Sequence, residues 1–208
     1  MALSLDDMPP RAALCEIARD FHARGWMSGT AGNLSARADP ASFWITASGK
    51  PKGRLETEDF LLMDIEGRVL ERMRAGDKPS AESGIHAAIY RLFPDAGACL
   101  HGHSVDAALV ASAMQAEHLP LPPLEMLKGF DIWEQAPKVE LPVFENYLDV
   151  AMIASAIGVR FRRQAPPLSA LLVKQHGITV WGKGLMQAYN RFECLEFVLS
   201  YVARARSR

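Results

Sequence analysis

Three histidines carry the strongest chemical signal in this sequence. His101 and His103 stand two apart at the end of an apolar stretch, Cys99-Leu100-His101-Gly102-His103-Ser104. On a strand, side chains at i and i+2 share a face, so both imidazoles can aim at one point. The glycine between them lets the backbone run close to whatever they hold. His176, in Lys174-Gln175-His176-Gly177, closes a second short apolar run, residues 170–173. Three imidazoles with a fourth position left open are the ligand set of a catalytic zinc; iron or manganese would also accept them. The alternative is ordinary hydrogen-bonded or surface histidine. In a regular strand Cys99 shares the face of His101, which makes it a candidate to lie behind the metal.

Other residues have types suited to chemistry. Glu82 and His86 are spaced i and i+4, on one helix face, either as a solvated pair or facing a site; for His86 taken alone the expectation is a structural role. Two loops are rich in glycine and hydroxyls: Ser28-Gly29-Thr30-Ala31-Gly32-Asn33, and Ala47-Ser48-Gly49-Lys50-Pro51-Lys52-Gly53-Arg54. N–H and O–H donors with lysines nearby suit a phosphate; two ordinary surface turns are the alternative. Neither loop is a Walker A or GxGxxG motif, so a nucleotide is not indicated. In Leu124-Glu125-Met126-Leu127-Lys128-Gly129, a carboxylate among apolar residues would have its pKa raised and could act as an acid. Otherwise Glu125 is an exposed helix residue.

The elements that must position these groups alternate in type. Pro9-Pro10 followed by Ala12, Leu14, Ile17, Ala18 and Phe21 predicts a helix with proline in its first turn, stopped by Gly25. Strands are expected at 34–37 and 43–46, and a short helix cap at Thr57-Glu58-Asp59. A hairpin follows, with 61–64 and 68–70 flanking Ile65-Glu66-Gly67. Ile85, Ala88, Ile89, Leu92 and Phe93 have helical spacing, and Pro94 ends that helix. Residues 96–100 form the strand into the histidine pair. Ser104 caps a helix running to Ala113. Prolines bar 119–124 from the inside of a sheet and make 141–143 an edge strand. Residues 149–159 are helical, 169–173 and 177–181 are two strands hinged at His176-Gly177, and 185–205 form a long helix. Its basic end, Arg204, Arg206 and Arg208, complements the helix dipole. The fold class is α/β, with a mixed, mostly antiparallel sheet between helices.

Composition sets bounds on function. The 208 residues suit one domain, 1–208, with a full core. Apolar content of 49% and charged content of 23% are those of an ordinary globular protein. A net charge of −1 without a basic block leaves no footprint for nucleic acid. No apolar run reaches membrane-spanning length, and residues 1–10 lack the basic region of a signal peptide. Cys15, Cys99 and Cys194, isolated and odd in number, are expected to be reduced core thiols of a cytoplasmic protein.

Five stretches in order, Gly32-Asn33-Leu34-Ser35-Ala36-Arg37, Thr46-Ala47-Ser48-Gly49, Pro79-Ser80-Ala81-Glu82, His101-Gly102-His103-Ser104 and His176-Gly177, resemble the successive motifs of the class II aldolase/adducin family. Two more, Leu124-Glu125-Met126-Leu127-Lys128-Gly129 and Pro142-Val143-Phe144-Glu145-Asn146-Tyr147, are similar to its methylthioribulose-1-phosphate dehydratase branch, which serves methionine salvage. The resemblance implies a three-layer αβα sandwich, one zinc held by His101, His103 and His176, and a homotetramer with sites near subunit interfaces. It places Asn33, Ser48, Gly49 and Ser80 where related aldolases hold the substrate phosphate. Where those aldolases have a second serine this chain has Ala81, and Lys52 or Lys128 is the compensating candidate. Glu82 takes the family's acid/base position, and Glu125 matches the glutamate that the dehydratases use as acid/base. The implied reaction removes the C3 proton and the C4 hydroxyl of 5-methylthioribulose 1-phosphate, leaving the 2,3-diketone. Met27, Met114, Met126, Phe130, Trp133 and Trp181 are the candidate apolar linings for its methylthio group, with core packing as the alternative. The rival readings are an aldolase or 4-epimerase on another sugar phosphate, and a non-catalytic adducin-like interaction domain.

Overall fold

The structure, a computed structural model, describes residues 4–206. Helix α1 (Pro10–Ala23) leads to the hairpin-linked strands β1 (Asn33–Asp39), β2 (Ser42–Thr46), β3 (Phe60–Asp64) and β4 (Val69–Arg72). Helix α2 (Ser83–Leu92) and strand β5 (Ala98–Gly102) follow, then α3 (Val105–Ser112), β6 (His118–Pro120), β7 (Glu140–Phe144) and α4 (Val150–Arg163). Strands β8 (Ala170–Val173) and β9 (Ile178–Gly182) and helix α5 (Leu185–Arg206) complete the described residues. The sheet order is β4-β3-β2-β1-β5-β9-β8-β7-β6, and every neighbouring pair but β7–β8 is antiparallel.

Alternation along the strands builds two cores. Leu34, Ala36, Ala98 and Leu100 face α1, α3 and α5; Phe43, Ile45, Leu61, Met63 and Cys99 face α2 and α4. Each fully buried leucine, isoleucine or phenylalanine contributes roughly 1.5–3 kcal/mol. The expected α/β, three-layer αβα sandwich with a mixed, mostly antiparallel sheet is the observed architecture. Register then positions the site. Asn33 of β1 and Thr179 of β9 lie directly opposite His101 of β5, so one row across the centre of the sheet carries all three.

Local signals act as expected in several places. Pro10 opens α1, and Gly25, at φ +77°, sits just past its end in the left-handed region. The Ser104 hydroxyl accepts the Ala107 N–H at 3.0 Å and caps α3. Elsewhere the structure corrects the reading. Thr57-Glu58-Asp59 is a turn into β3, with no helix behind it. Strand β7 is not an edge: β6 covers its outer side and carries the edge position instead. Helix α4 continues past Val159 to Arg163. Cys194 is only half-buried, whereas Cys15 and Cys99 are core thiols. Arg208, counted with the basic end of α5, lies outside the described residues, as do the first three residues of the N-terminal stretch.

Candidate metal centre and active site

His101 ends β5, His103 follows it by two residues, and His176 sits in the tight turn between β8 and β9. That turn places Gln175 at φ +53°. Gly177 is obligatory beside it, because a Cβ there would meet the Gly102 carbonyl oxygen at 2.1 Å. Gly102 has a different reason from the expected one: a Cβ would strike the Phe192 ring at 2.7 Å and the Trp26 carbonyl at 3.0 Å, so it serves helix packing on the far face and not approach to a metal.

The three rings converge. His101 and His103 approach to 2.7 Å between Nε2 atoms, and the ring centroids lie 4.6–5.0 Å apart. Glu82 joins them: its Oε1 is 2.6 Å from His176 Nε2 and 3.5 Å from His101 Nε2. One ligand atom from each of the four lies within 4.8 Å of the others, a group able to hold a metal ion. Chemistry favours that use. The His101 Nδ1–H donates to the Ile178 carbonyl at 2.8 Å, with Thr179 Oγ1 at 3.0 Å, so its Nε2 lone pair points into the group. Two ring nitrogens at 2.7 Å need a proton or a cation between them. Burial, with the charges of His101 and His176, pushes the His103 imidazole down to about 3, keeping it a neutral ligand. Burial raises the Glu82 carboxyl, but the charges and hydrogen bonds of His101 and His176 outweigh it and hold the group below the usual carboxylate range. Cys99 is sealed in the α2-side core and is no member of the group.

Behind Glu82 runs a buried polar chain. Asn33 Nδ2 donates to Glu82 Oε2 and, at 3.2 Å, to Ser80 Oγ. Asn33 Oδ1 lies 2.5 Å from His86 Nε2. His86 Nδ1 is 2.6 Å from Ser35 Oγ, which is 2.8 Å from the Tyr90 hydroxyl. His86 therefore belongs to the site's framework, one layer behind the carboxylate.

In front of Glu82 is a 230 Å³ cavity. Ser48, Gly49, Ser80 and Lys52 all line it, as do Glu82 and His103, so the two glycine-hydroxyl loops share one space with one histidine and the glutamate of the group. Lys52 is 1% exposed, and its Nζ donates to the carbonyls of Thr30 at 2.8 Å and Lys50 at 3.0 Å. Burial pushes this ammonium down to about 8 against the charges of Glu82 and Asp59. Ala81 faces the same cavity. Asn33 stands behind the lining, both arms of its amide committed to protein partners.

Two expected residues are not brought to this point. Glu125 and Lys128 lie on the exposed 3-10 helix Glu125–Phe130, where Lys128 Nζ meets Glu125 Oε1 at 2.6 Å. Glu125 is 81% exposed, and its carboxyl is lowered by the Lys128 hydrogen bond and charge, not raised by apolar neighbours. Lys128 is not part of the cavity wall. Among the candidate methylthio linings, Met27, Met114, Phe130 and Trp181 are core residues, while Met126 is half-buried and Trp133 is exposed. Thr179 is a residue that sequence reading missed. Thr179 becomes visible only once the pairing of β5 with β9 is known.

Comparison with known proteins identifies the family. Residues 12–202 match the family described as the Class II Aldolase and Adducin N-terminal domain, and the chain belongs to that family. It is 50% identical over 196 residues to a methylthioribulose-1-phosphate dehydratase of Microcystis aeruginosa, covering 94% of this chain and 96% of the relative. A protein of the same name from Leptospira biflexa is 39% identical over 198 residues, covering 92% and 95%. Among solved structures, an L-fuculose-1-phosphate aldolase from Thermus thermophilus superposes with a TM-score of 0.74 at 27% identity, covering 95% of each chain. No helix among the described residues is long and apolar enough to cross a membrane.

Proposed function

We propose that this chain is a zinc-dependent hydro-lyase, one class II aldolase-like domain that dehydrates 5-methylthioribulose 1-phosphate to 2,3-diketo-5-methylthiopentyl 1-phosphate in the cytoplasm, as a homotetramer. The observation that carries it is the meeting of His101, His103, His176 and Glu82, two of which, His103 and Glu82, also line a cavity with Ser48, Ser80 and Lys52. The names of relatives at 50% and 39% identity support the choice of substrate.

His101, His103 and His176 would hold the zinc, which supplies a Lewis acid for the C2 carbonyl oxygen and makes the C3 proton more acidic. The phosphate sits against Ser48, Gly49, Ser80 and the Lys52 ammonium, which stands in for the hydroxyl that Ala81 lacks. Glu82, ionised and held from behind by Asn33, takes the C3 proton. The electron pair left at C3 expels the C4 hydroxyl as water once that oxygen is protonated. The resulting C3–C4 enol tautomerises to the diketone. Glu82 lines the cavity, which supports its choice as the proton-transfer group. The assignment of Glu125 to the C4 hydroxyl rests on the motif it shares with the dehydratases, and its variant is tested separately below.

Parallel assays test the function. The zinc-loaded protein should turn over methylthioribulose 1-phosphate and leave fuculose, rhamnulose and ribulose phosphates unchanged. Cleavage or epimerisation of one of those instead would make it an aldolase or epimerase. A protein that takes up no zinc and turns over none of them would favour the non-catalytic adducin-like reading.

A further inference from the structure

We propose that His86 is a positioning residue for Glu82, acting through Asn33. The inference rests on the proposed reaction only for its activity readout; the direction of the hydrogen bonds follows from the partners themselves. A carboxylate only accepts, so the Asn33 amide must turn its NH2 toward Glu82 Oε2 and Ser80 Oγ. Asn33 Oδ1 is then left facing His86 Nε2 at 2.5 Å and can only accept, so His86 carries its proton on Nε2. His86 Nδ1 must accept from the Ser35 hydroxyl at 2.6 Å, and Ser35 Oγ accepts from the Tyr90 hydroxyl at 2.8 Å. The Nε2–H tautomer of His86 thus follows from the carboxylate at the far end of the chain, and the Ser35 hydroxyl, which also has the Cys99 carbonyl as an acceptor at 3.2 Å, completes the chain on the Nδ1 side.

The fold supports that arrangement. Asn33 and Ser35 are alternate residues of β1, on the face that looks toward α2, and His86 and Tyr90 are one turn apart on α2. Asn33, Ser35, His86 and Tyr90 are each at most 1% exposed, so water does not compete for these bonds. Burial and the charge of His101 push the His86 imidazole down to about 3, and it stays neutral through the working pH range. If the Nε2–H donor is lost, Asn33 can rotate and present its carbonyl to Glu82, which repels the carboxylate and frees its rotamer. The expected loss is about 10- to 100-fold in turnover, the usual cost of removing a group that orients a site from behind.

The test has two arms. Nitrogen-15 NMR of the histidine-labelled, zinc-loaded wild-type protein should find His86 as the Nε2–H tautomer; an Nδ1–H tautomer would overturn the proposal whatever the enzyme's substrate. In the second arm His86→Gln keeps a donor for Asn33, whereas His86→Asn keeps only an acceptor for Ser35. With methylthioribulose 1-phosphate, H86N should lose about 10- to 100-fold in kcat with KM and zinc content little changed, and H86Q should stay within about threefold of wild type. Equal losses in both variants would overturn the relay and leave His86 a packing residue. A wild-type protein that binds zinc but does not dehydrate this substrate refutes the functional reading, and the tautomer still decides the role of His86.

Discussion

Replacing Lys52 by methionine separates binding from stability at one buried atom. The ammonium is enclosed, bonded to two backbone carbonyls, and faces the cavity that holds the serines. At 1.36 kcal/mol per pH unit, its fall from 10.5 to about 8 corresponds to roughly 3 kcal/mol of unfavourable burial in the free protein. Methionine relieves that cost and keeps the stem, but leaves the Thr30 and Lys50 carbonyls without their donor, at about 1–3 kcal/mol each. The contributions oppose each other, so the unliganded Lys52→Met protein should melt no more than about 12 °C below wild type. Substrate binding has no such compensation. An ammonium about 4 Å from a phosphate charge, at an effective dielectric near 20, contributes roughly 4 kcal/mol. Allowing for residual desolvation, kcat/KM should fall about 100- to 1,000-fold. The sign of the pH effects follows from the lowered value. The folded state gives up this proton near pH 8 and the unfolded state near 10.5, so this group makes stability rise with pH between them. The wild-type kcat/KM should fall above about pH 8 as the charge is lost, and K52M should lack that limb. Steady-state kinetics from pH 6 to 9.5, with melting curves on the same samples, decide the matter. A K52M enzyme within threefold of wild-type kcat/KM at pH 7 would refute the role of Lys52.

Other perturbations follow from the same geometry. His103→Ala and His176→Ala should each drop bound zinc to below about a tenth per chain by atomic absorption while the far-ultraviolet circular dichroism stays that of wild type. Glu82→Gln should retain zinc and lose at least about 1,000-fold in kcat, whereas full turnover in Glu125→Gln would remove Glu125 from the mechanism. Gly177→Ala, whose Cβ would lie 2.1 Å from the Gly102 carbonyl oxygen, should lose about 2 kcal/mol or more of stability in urea unfolding, since neither backbone can yield easily.

Much of this site was legible because its signals are local. The period of two along β5 put His101 and His103 on one side, and a third histidine at the close of another apolar run pointed to the same end of the sheet. What was not legible depends on non-local pairing. Glu82 and His86 are four apart, yet the hydrogen bonds between them run through Asn33, 49 residues before Glu82, on a different element. Pro142 suggested an edge strand, but it lies opposite His118 of β6 where the ladder bond is made by its neighbour, Val143 N–H to the Glu117 carbonyl at 2.7 Å, so that pairing needs no N–H from it and the short β6 takes the edge. Glu125, among Leu124, Met126 and Leu127, could be read from sequence either as a carboxylate in apolar surroundings or as an exposed helix residue, and the structure shows the second. In a 3-10 turn residues three apart stack, so Glu125 joins Lys128 on the outside while Leu127 and Phe130 turn inward. Of the two candidate lysines, only the fold could say that Lys52 folds back under the serine loop and Lys128 does not.

Dehydration at the C3–C4 bond, with Glu82 taking the C3 proton, is decided by proton NMR of the reaction in deuterated water. Zinc-loaded wild-type protein given methylthioribulose 1-phosphate should abolish the C3 proton signal, produce the 2,3-diketone, and place one deuterium at C4 of the product; Glu82→Gln should leave the substrate spectrum intact. Release of a two- or three-carbon fragment, or an inverted C4 centre with its hydroxyl retained, would rule out dehydration.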